Sequence, residues 1–173
     1  LAVTYTDLVQ VVLLLVGVAF LGVPMAASGM AAAGTGIASL PARYFDVDTW
    51  GWPSIAALGI SMIFSFFTSM DSYTRCFAAK DAKTARRGAL LAVVGIVIIA
   101  VSSTYLGLAA KVLLPDLASG DSSLTELIIH VFPIGARGLV VVGILAAIMS
   151  TGDICVLTAS ANVTNDIYHR FIN

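Results

Sequence analysis

The sequence predicts an all-α membrane protein with about four transmembrane helices and one short amphipathic helix. Hydrophobic residues occupy 59% of the 173 positions and charged residues only 11%, which is far more apolar than an average soluble domain. An apolar stretch of about 20 residues is long enough to cross a bilayer as a helix. Four such stretches lie at about residues 4–25, 54–79, 88–114 and 136–165.

The first stretch begins with two polar residues, Asp7 and Gln10, one helical turn apart. One interpretation is that the carboxylate of Asp7 lies at the water interface or at a helix N-terminus, where the macrodipole favours a negative charge. It also fits a cation ligand at the mouth of a pathway, and the residues alone leave both interpretations open. The Gly-, Ala- and Ser-rich segment at 26–53 predicts a surface loop.

The second stretch carries a polar stripe. Ser61, Ser65, Thr68 and Ser72 recur at spacings of four, three and four, so they share one face of a helix. A face that packs against other helices and a face that lines a solute path would both keep such a stripe. Pro53, at the start of the stretch, suits the first turn of a helix.

The segment RCFAAKDAKTARRG at 75–88 is short and basic, so the positive-inside rule places it in the cytoplasm. Further on, Ser123 and Glu126 form a capping-box pattern ahead of LTELIIHVFP, which predicts a short amphipathic helix over about 122–132. With four crossings this helix is extracellular and both chain ends are cytoplasmic. The cytoplasmic side then collects six of the nine basic residues: Arg75, Lys80, Lys83, Arg86, Arg87 and Arg170.

The last stretch carries polar residues near its middle: Ser150, Thr151 and Asp153. Residues three and four apart share a helix face, so both hydroxyls point toward the backbone carbonyl of Ala147. Three neutral oxygens suit a monovalent cation that must be released again, which predicts part of a sodium site. The other interpretation is that the hydroxyls only bond that carbonyl or a neighbouring helix. Gly143, Ala147 and Thr151, spaced by four, also predict close packing against another helix.

The sequence gives little support to several other protein classes. The net charge is −1 and the basic residues are sorted by loop, so no nucleic-acid surface is predicted. The two cysteines, Cys76 and Cys155, form no CxxC pattern, and neither a disulfide framework nor a zinc site is expected. No HExxH or GxSxG motif supports an enzyme. The chain lacks an initiator methionine and is expected to be an internal piece of a longer transporter or, as the alternative, of an ion channel or membrane receptor.

Three segments resemble the sodium/solute symporter family, which includes the sodium–glucose, proline and pantothenate carriers. They are AVTYTDLVQ at 2–10, SYTRCFAAKDAKTARRG at 72–88 and AAIMSTGDICVLTASANVTNDIYHRF at 146–171, and the similarity covers essentially the whole chain. The resemblance implies sodium-coupled symport by a LeuT-like fold of two inverted five-helix repeats, with this chain as core helices five to eight. It also implies a plasma or inner membrane location, with lipid, a small solute and the remaining helices of the transporter as partners.

The resemblance also implies specific site residues. The family's main sodium site matches the carbonyl of Ala147 and the hydroxyls of Ser150 and Thr151, completed by carbonyls of a core helix that this sequence lacks. Some members hold a second sodium ion at positions that match Asp7 and Asp153. Those members have a hydroxyl in place of Asp153, so the carboxylate here implies a tighter cation site, a proton-linked step or only a helix contact.

The solute pocket of the family lies along the helix that matches the second stretch. This match implies substrate-binding roles for Ser61, Ser65, Phe66 and Ser69. The sugar carriers have a Tyr–Trp pair where this chain has Ser65 and Phe66, and a pocket lysine where it has Ile96. The chain is therefore not expected to carry a sugar.

Overall fold

The computed structural model is all-α over the residues that it describes, which are 2–69, 73, 77–116 and 120–172. Ser72 of the predicted stripe and Cys76 lie outside these residues. In chain order the helices are α1 (Ala2–Leu14), the π-helical segment π1 (Leu15–Gly22), α2 (Val23–Ala32), α3 (Trp52–Thr68), α4 (Ala82–Leu113), α5 (Ser123–Val131), α6 (Ile134–Asn162) and the π-helical segment π2 (Val163–Ile172). Short 3₁₀ turns cover Ile37–Ser39, Ala42–Tyr44, Val47–Thr49 and Gly120–Ser122.

Three of the described helices are long and apolar enough to cross a membrane, judged by length and composition. They are Tyr5–Ala32, Ala82–Leu113 and Ile134–Phe171. They correspond to the first, third and fourth of the predicted stretches. The helix Trp52–Thr68, which corresponds to the second stretch, is apolar but shorter.

The first long helix continues beyond its predicted end. We expected a loop from Ala26 onward, but the helix runs without a break through α1, π1 and α2 to Ala32. The expectation was wrong because the alanines and methionines between Met25 and Ala32 are good helix formers, and Pro24 does not interrupt the helix.

Gly34 ends this helix in a Schellman motif. It has a φ of +64°, in the left-handed region that glycine adopts readily. The N–H of Thr35 donates to the carbonyl of Met30 at 3.0 Å, and the N–H of Gly34 donates to that of Ala31 at 3.1 Å. The last carbonyls of α2 are thereby satisfied within the chain.

Helix α3 begins with Pro53 in its first turn, as predicted, and ends at Thr68, well before residue 79. The hydroxyl of Thr68 donates to the carbonyl of Phe64 at 2.9 Å and lies 3.2 Å from that of Ser65. Ser69 then adopts extended backbone angles, φ −73° and ψ 120°. The sequence that follows is polar at Ser69, Asp71 and Ser72, so the apolar stretch also weakens where the helix ends.

The chain divides into two compact units. The first unit comprises residues 1–40 and 92–153, and the second comprises residues 41–91 and 154–173. The buried apolar core lies in the first unit, and its largest fully buried side chains are Leu106, Leu127, Phe132 and Val140. The second unit contains α3, whose side chains are mostly exposed within this chain.

The short helix α5 contributes Leu127 and Ile128 to the core of the first unit. The capping box expected from Ser123 and Glu126 does not form. Ser123 is the first residue of the helix rather than the residue before it. The carboxylate of Glu126 instead pairs with Nε2 of His130, one turn later, at 3.2 Å.

Asp81 caps the start of α4. The backbone N–H of Thr84 donates to Oδ1 of Asp81 at 2.6 Å. Side-chain and backbone hydrogen bonds from Thr84 hold the pKa of Asp81 below its ordinary value of 3.8. Because the folded-state pKa is lowered, the cap contributes stability above the ordinary aspartate range and loses it as pH falls through the lowered value.

We therefore expect Asp81→Ala to lower the thermal midpoint of the complete protein at neutral pH, because the variant loses a helix N-cap. The difference from the wild type should shrink as the pH falls toward about 3. Midpoints measured in detergent across this pH range check the expectation. Asp116→Ala, which removes an exposed carboxylate after α4, is the control. A difference that stays constant with pH would show that Asp81 does not act through its charge.

Candidate cation site

The structure brings together the three oxygens that the spacing in the last stretch predicts. The hydroxyl of Ser150 donates to the carbonyl of Ala147 at 2.9 Å, and the hydroxyl of Thr151 lies 3.3 Å from the same carbonyl oxygen. Ser150 is half-buried within this chain and Thr151 is exposed. A carbonyl and two hydroxyls thus form a small cluster of neutral oxygens on one face of α6.

This cluster has the donor chemistry of a site for an alkali cation. After donating its proton, each hydroxyl oxygen keeps two lone pairs, and the carbonyl oxygen has two of its own. Hard cations prefer such oxygen ligands, and neutral ligands favour reversible binding. Among the residues that the structure describes, no group of three or more His, Cys, Asp or Glu side chains could hold a metal ion. Zinc prefers Cys and His ligands, so the hydroxyl and carbonyl oxygens of the cluster fit an alkali cation better.

Two glycines bring α6 into backbone contact with the first long helix. A Cβ added at Gly143 would lie 3.1 Å from the carbonyl oxygen of Leu13, and one added at Gly17 would lie 3.3 Å from the Cα of Val140. Few real Cβ atoms come so close, so any larger residue at either position would push the neighbouring backbone away by at least a few tenths of an ångström. Leu13 precedes Gly17 in the first long helix, but its contact in α6, Gly143, follows Val140, the contact of Gly17. The two helices therefore run antiparallel. We call this contact the glycine crossing.

Beyond the glycine crossing, each helix has a half-buried face. In the first turns of α1, Asp7 and Gln10 are half-buried, whereas Tyr5, Leu8 and Val9 are exposed. This spacing of three residues continues toward the crossing, so the protected side of α1 is the side that meets α6.

Both helices carry polar residues on the same side of the crossing. Gln10 and Asp7 lie one and two turns before it on α1, and Ala147 and Ser150 lie one and two turns after it on α6. Oδ1 of Asp7 and Oε1 of Gln10 are both shut off from solvent. We call this side of the glycine crossing the seam.

Asp153 lies one turn beyond Ser150 on α6 and is half-buried. Together with Asp7, which lies on the same seam, it places a second carboxylate near the oxygen cluster. Neither α1 to α2 nor residues 138–162 contain a Lys, Arg or His. The one basic residue of α6, Arg137, lies near its start, on the other side of the glycine crossing, and donates to the carbonyl of Phe132.

The predicted solute-binding residues lie on α3 or directly after it, in the second unit. Ser61, Ser65 and Phe66 are exposed within this chain, and Ser69 is half-buried just after the helix ends. Among the described residues of the stripe, Thr68 alone makes a side-chain hydrogen bond, which runs back to the preceding turn of α3. These side chains are therefore open to contact with a solute, lipid or further helices.

Residues 1–173, the whole chain, match the profile of the sodium:solute symporter family. The chain belongs to this family. Its members are transporters rather than enzymes, which agrees with the absence of catalytic motifs from the sequence. Family membership and the three long apolar helices make the chain part of an integral membrane protein.

Two relatives in the sodium:solute symporter family are sodium/pantothenate symporters. The one from Haemophilus influenzae is 28% identical over 114 residues, which cover 66% of this chain and 24% of the relative. The one from Escherichia coli is 29% identical over 94 residues, which cover 54% of this chain and 20% of the relative. The aligned part of the chain thus spans a quarter or less of the length of these relatives. No solved structure matches it.

Sequence reasoning identified one side of the glycine crossing and missed the other. Gly143 stood out because it begins a stripe of small residues, and its backbone contact confirms that packing. Gly17 was missed, although a glycine inside a run of large apolar residues is a signal of close approach in membrane helices. Its partner could not be read from the sequence, because the two segments are more than a hundred residues apart.

Proposed function

We propose that this chain is part of a sodium-coupled symporter and supplies half of its main sodium site. Ala147 offers its carbonyl oxygen, Ser150 and Thr151 offer their hydroxyls, and the remaining ligands come from a helix outside this chain. The observation that carries the proposal is the convergence of both hydroxyls on one carbonyl, within 3.3 Å, in an apolar helix. Membership of the sodium:solute symporter family supports sodium as the ion.

The proposed architecture is a LeuT-like inverted repeat in which this chain forms four crossings. The second crossing uses α3 together with residues up to about 79, and both ends of the chain face the cytoplasm. Alternating access requires that sodium binds one conformational state better than the other. An inward move of one charge across 100 mV releases about 2.3 kcal/mol, which supports roughly fifty-fold accumulation of solute.

The proposed solute path runs along α3, through Ser61, Ser65, Phe66 and Ser69. Helix α3 ends at Thr68, next to Ser69 of the proposed path. Helix ends at membrane depth are places where transporters bind solutes and ions. We infer a small polar solute with hydrogen-bond donors, and pantothenate is the first one to test because the relatives are named for it.

A second cation position is proposed between Asp7 and Asp153. Both residues are half-buried, and each lies within a turn or so of the seam that carries the oxygen cluster. Carboxylate oxygens are hard ligands that suit a cation. This position would hold an ion before or beside the main site.

One observation favours a different function, in which the chain belongs to a channel or receptor and the hydroxyls serve packing alone. Both hydroxyls already bond back to Ala147, and Thr151 is exposed within this chain. Such back-bonding is ordinary for Ser and Thr in membrane helices. The two functions differ in whether solute uptake depends on sodium through these oxygens.

The deciding experiment is sodium-dependent uptake of labelled pantothenate by the complete transporter with Ser150→Ala and Thr151→Ala combined. Each oxygen that contacts a charge contributes about 1.5–3 kcal/mol, so removing two should raise the sodium concentration for half-maximal uptake about a hundredfold or more. If pantothenate is not carried, the same measurement is repeated over a panel of small organic acids and amino acids.

The matched control is the pair Ser102→Ala and Thr104→Ala in α4. These hydroxyls make the same kind of back-bond, to the carbonyls of Ile98 at 2.7 Å and Ala100 at 2.9 Å, but belong to no oxygen cluster of their own. The control should leave the sodium requirement unchanged. If the variant with Ser150→Ala and Thr151→Ala also leaves the sodium requirement unchanged, the hydroxyls serve packing and the proposed site is contradicted.

A further inference from the structure

The start of α4 carries an exposed basic patch. Four basic residues within eight positions make up this patch: Lys80, Lys83, Arg86 and Arg87. All four are exposed, and none of them forms a salt bridge with a residue that the structure describes. The one acid in the segment, Asp81, is used as the cap of α4 and accepts the N–H of Thr84. The charges of the basic patch are therefore available to a partner outside the described residues.

A helix N-terminus is an unfavourable place for so much positive charge. The backbone N–H groups there already form the positive end of the helix dipole, so nearby basic side chains are destabilising unless an anion is present. The first turn of α4 contains no acid. Four basic residues and one acid give residues 80–87 a net charge of +3. The start of α4 therefore favours a negatively charged partner.

The uncharged part of α4 sets the depth of the basic patch in the membrane. Residues 88–110 contain no Asp, Glu, Lys or Arg and are helical throughout. At about 1.5 Å per residue they span about 35 Å, slightly more than the hydrocarbon core of a bilayer, which is about 30 Å thick. Arg86 and Arg87 at one end and Lys111 at the other therefore lie at the level of the lipid headgroups.

The two ends of α4 differ in how their charges are satisfied. Nζ of Lys111 donates to the carbonyl of Pro115 at 3.0 Å, so the chain itself supplies a partner. The basic patch has no such partner among the described residues. The exposed rings of Tyr73 and Phe77 precede the patch and stack with their centroids 6.4 Å apart. Aromatic rings of this kind are typical of the headgroup level, which agrees with the depth of the patch.

We propose that the basic patch binds the headgroups of anionic phospholipids. The phosphates of these lipids lie at the depth of the guanidinium groups, and Arg can hold a phosphate through two parallel hydrogen bonds. A zwitterionic lipid brings no net charge to offset that of the patch, whereas an anionic lipid does. In the proposed topology this is the cytoplasmic leaflet. The lipid contact does not require the sodium site, so each can fail without the other.

The test titrates dioleoylphosphatidylglycerol into the purified, delipidated, complete transporter and counts bound lipid by native mass spectrometry. Arg86→Gln combined with Arg87→Gln should weaken the binding of at least one phosphatidylglycerol about tenfold or more. Binding of dioleoylphosphatidylcholine should stay unchanged. Arg86→Lys combined with Arg87→Lys keeps both charges and should weaken the binding of phosphatidylglycerol by no more than about threefold.

The matched control is Arg43→Gln combined with Lys111→Gln. It removes the same charge from two residues that have partners within this chain, since the guanidinium carbon of Arg43 lies 5.5 Å from the ring centroid of Tyr44. The control should bind phosphatidylglycerol like the wild type. Equal losses in the control and in the glutamine variant of the patch would show that overall charge attracts the lipid, which overturns the proposal.

Two other outcomes also contradict a lipid site at the basic patch. One is a glutamine variant that binds phosphatidylglycerol like the wild type. The other is displacement of phosphatidylglycerol by an equal concentration of inorganic phosphate, because a soluble anion without acyl chains would then fill the site as well as a lipid does.

Lysine acetylation of the wild-type transporter gives a readout that needs no variant to fold. A water-soluble acetylating reagent should modify Lys80 and Lys83 at least about threefold more slowly in nanodiscs of phosphatidylglycerol than in nanodiscs of phosphatidylcholine. Lys111 is the internal reference, because it corrects for the general effect of a charged membrane surface on amine reactivity. If the rates of Lys80 and Lys83 relative to Lys111 are the same in both lipids, the proposal is wrong.

Discussion

Gly143→Leu is expected to abolish sodium-dependent uptake. A Cβ at this position would lie 3.1 Å from the carbonyl oxygen of Leu13 and 3.3 Å from the Cα of Leu14. Both neighbours are backbone atoms, which cannot rotate away as a side chain can. A leucine would therefore push α6 and the first long helix apart at the glycine crossing and separate the oxygen cluster from Asp7 and Gln10.

Uptake, sodium binding and membrane insertion of the complete transporter measure this effect. Gly138→Leu is the matched control, because it makes the same change in the same helix at a glycine with no heavy atom within 4 Å of its added Cβ. Both variants replace glycine by leucine and gain the same helix propensity. A difference in uptake between them therefore reports on the backbone contact at Gly143. Gly143→Ala should have a smaller effect, since the neighbours need to move by only a few tenths of an ångström. Normal uptake by Gly143→Leu would show that the crossing does not position the site.

The membrane class and the three long helices were predictable because they depend on local properties. Apolar composition over about 20 residues decides whether a segment can enter a bilayer, and this is visible in the sequence. The ends of the helices were less predictable, because hydrogen bonds decide them. A left-handed glycine ends α2 at Gly34, beyond the expected loop start, and the back-bond of Thr68 precedes the early end of α3.

The oxygen cluster was predictable for a similar reason. In any helix, a hydroxyl at position i lies near the carbonyls of residues i−3 and i−4, so Ser150 and Thr151 had to approach Ala147 if this stretch was helical. Its setting was not predictable. The protection of Gln10 and the contact of Gly17 arise from packing between distant segments, which no local pattern specifies. The sequence showed that Asp7 and Gln10 share a face, but not which helix that face meets.

Phe132→Ala is expected to lower the stability of the complete transporter by about 3–5 kcal/mol, as for other buried aromatic residues replaced by alanine. Phe132 follows α5 and is 1% exposed, in the core that also contains Leu106 and Leu127. The helices around it are held by backbone caps and close contacts, so they can fill only part of the cavity that the missing ring leaves. The thermal midpoint in detergent should fall by several degrees.

Phe20→Ala separates packing within this chain from a general loss of aromatic surface. Phe20 lies in π1 and is 70% exposed within the chain, so its removal opens no cavity in the core of the first unit. We expect a much smaller fall of the midpoint for this variant than for Phe132→Ala. Equal falls would mean that helices outside this chain pack on Phe20 as tightly as the core packs on Phe132. The core that contains Phe132 also includes Val18 and Val140, beside the glycine crossing. Loosening this core should therefore also raise the sodium requirement of the Phe132→Ala protein that remains folded.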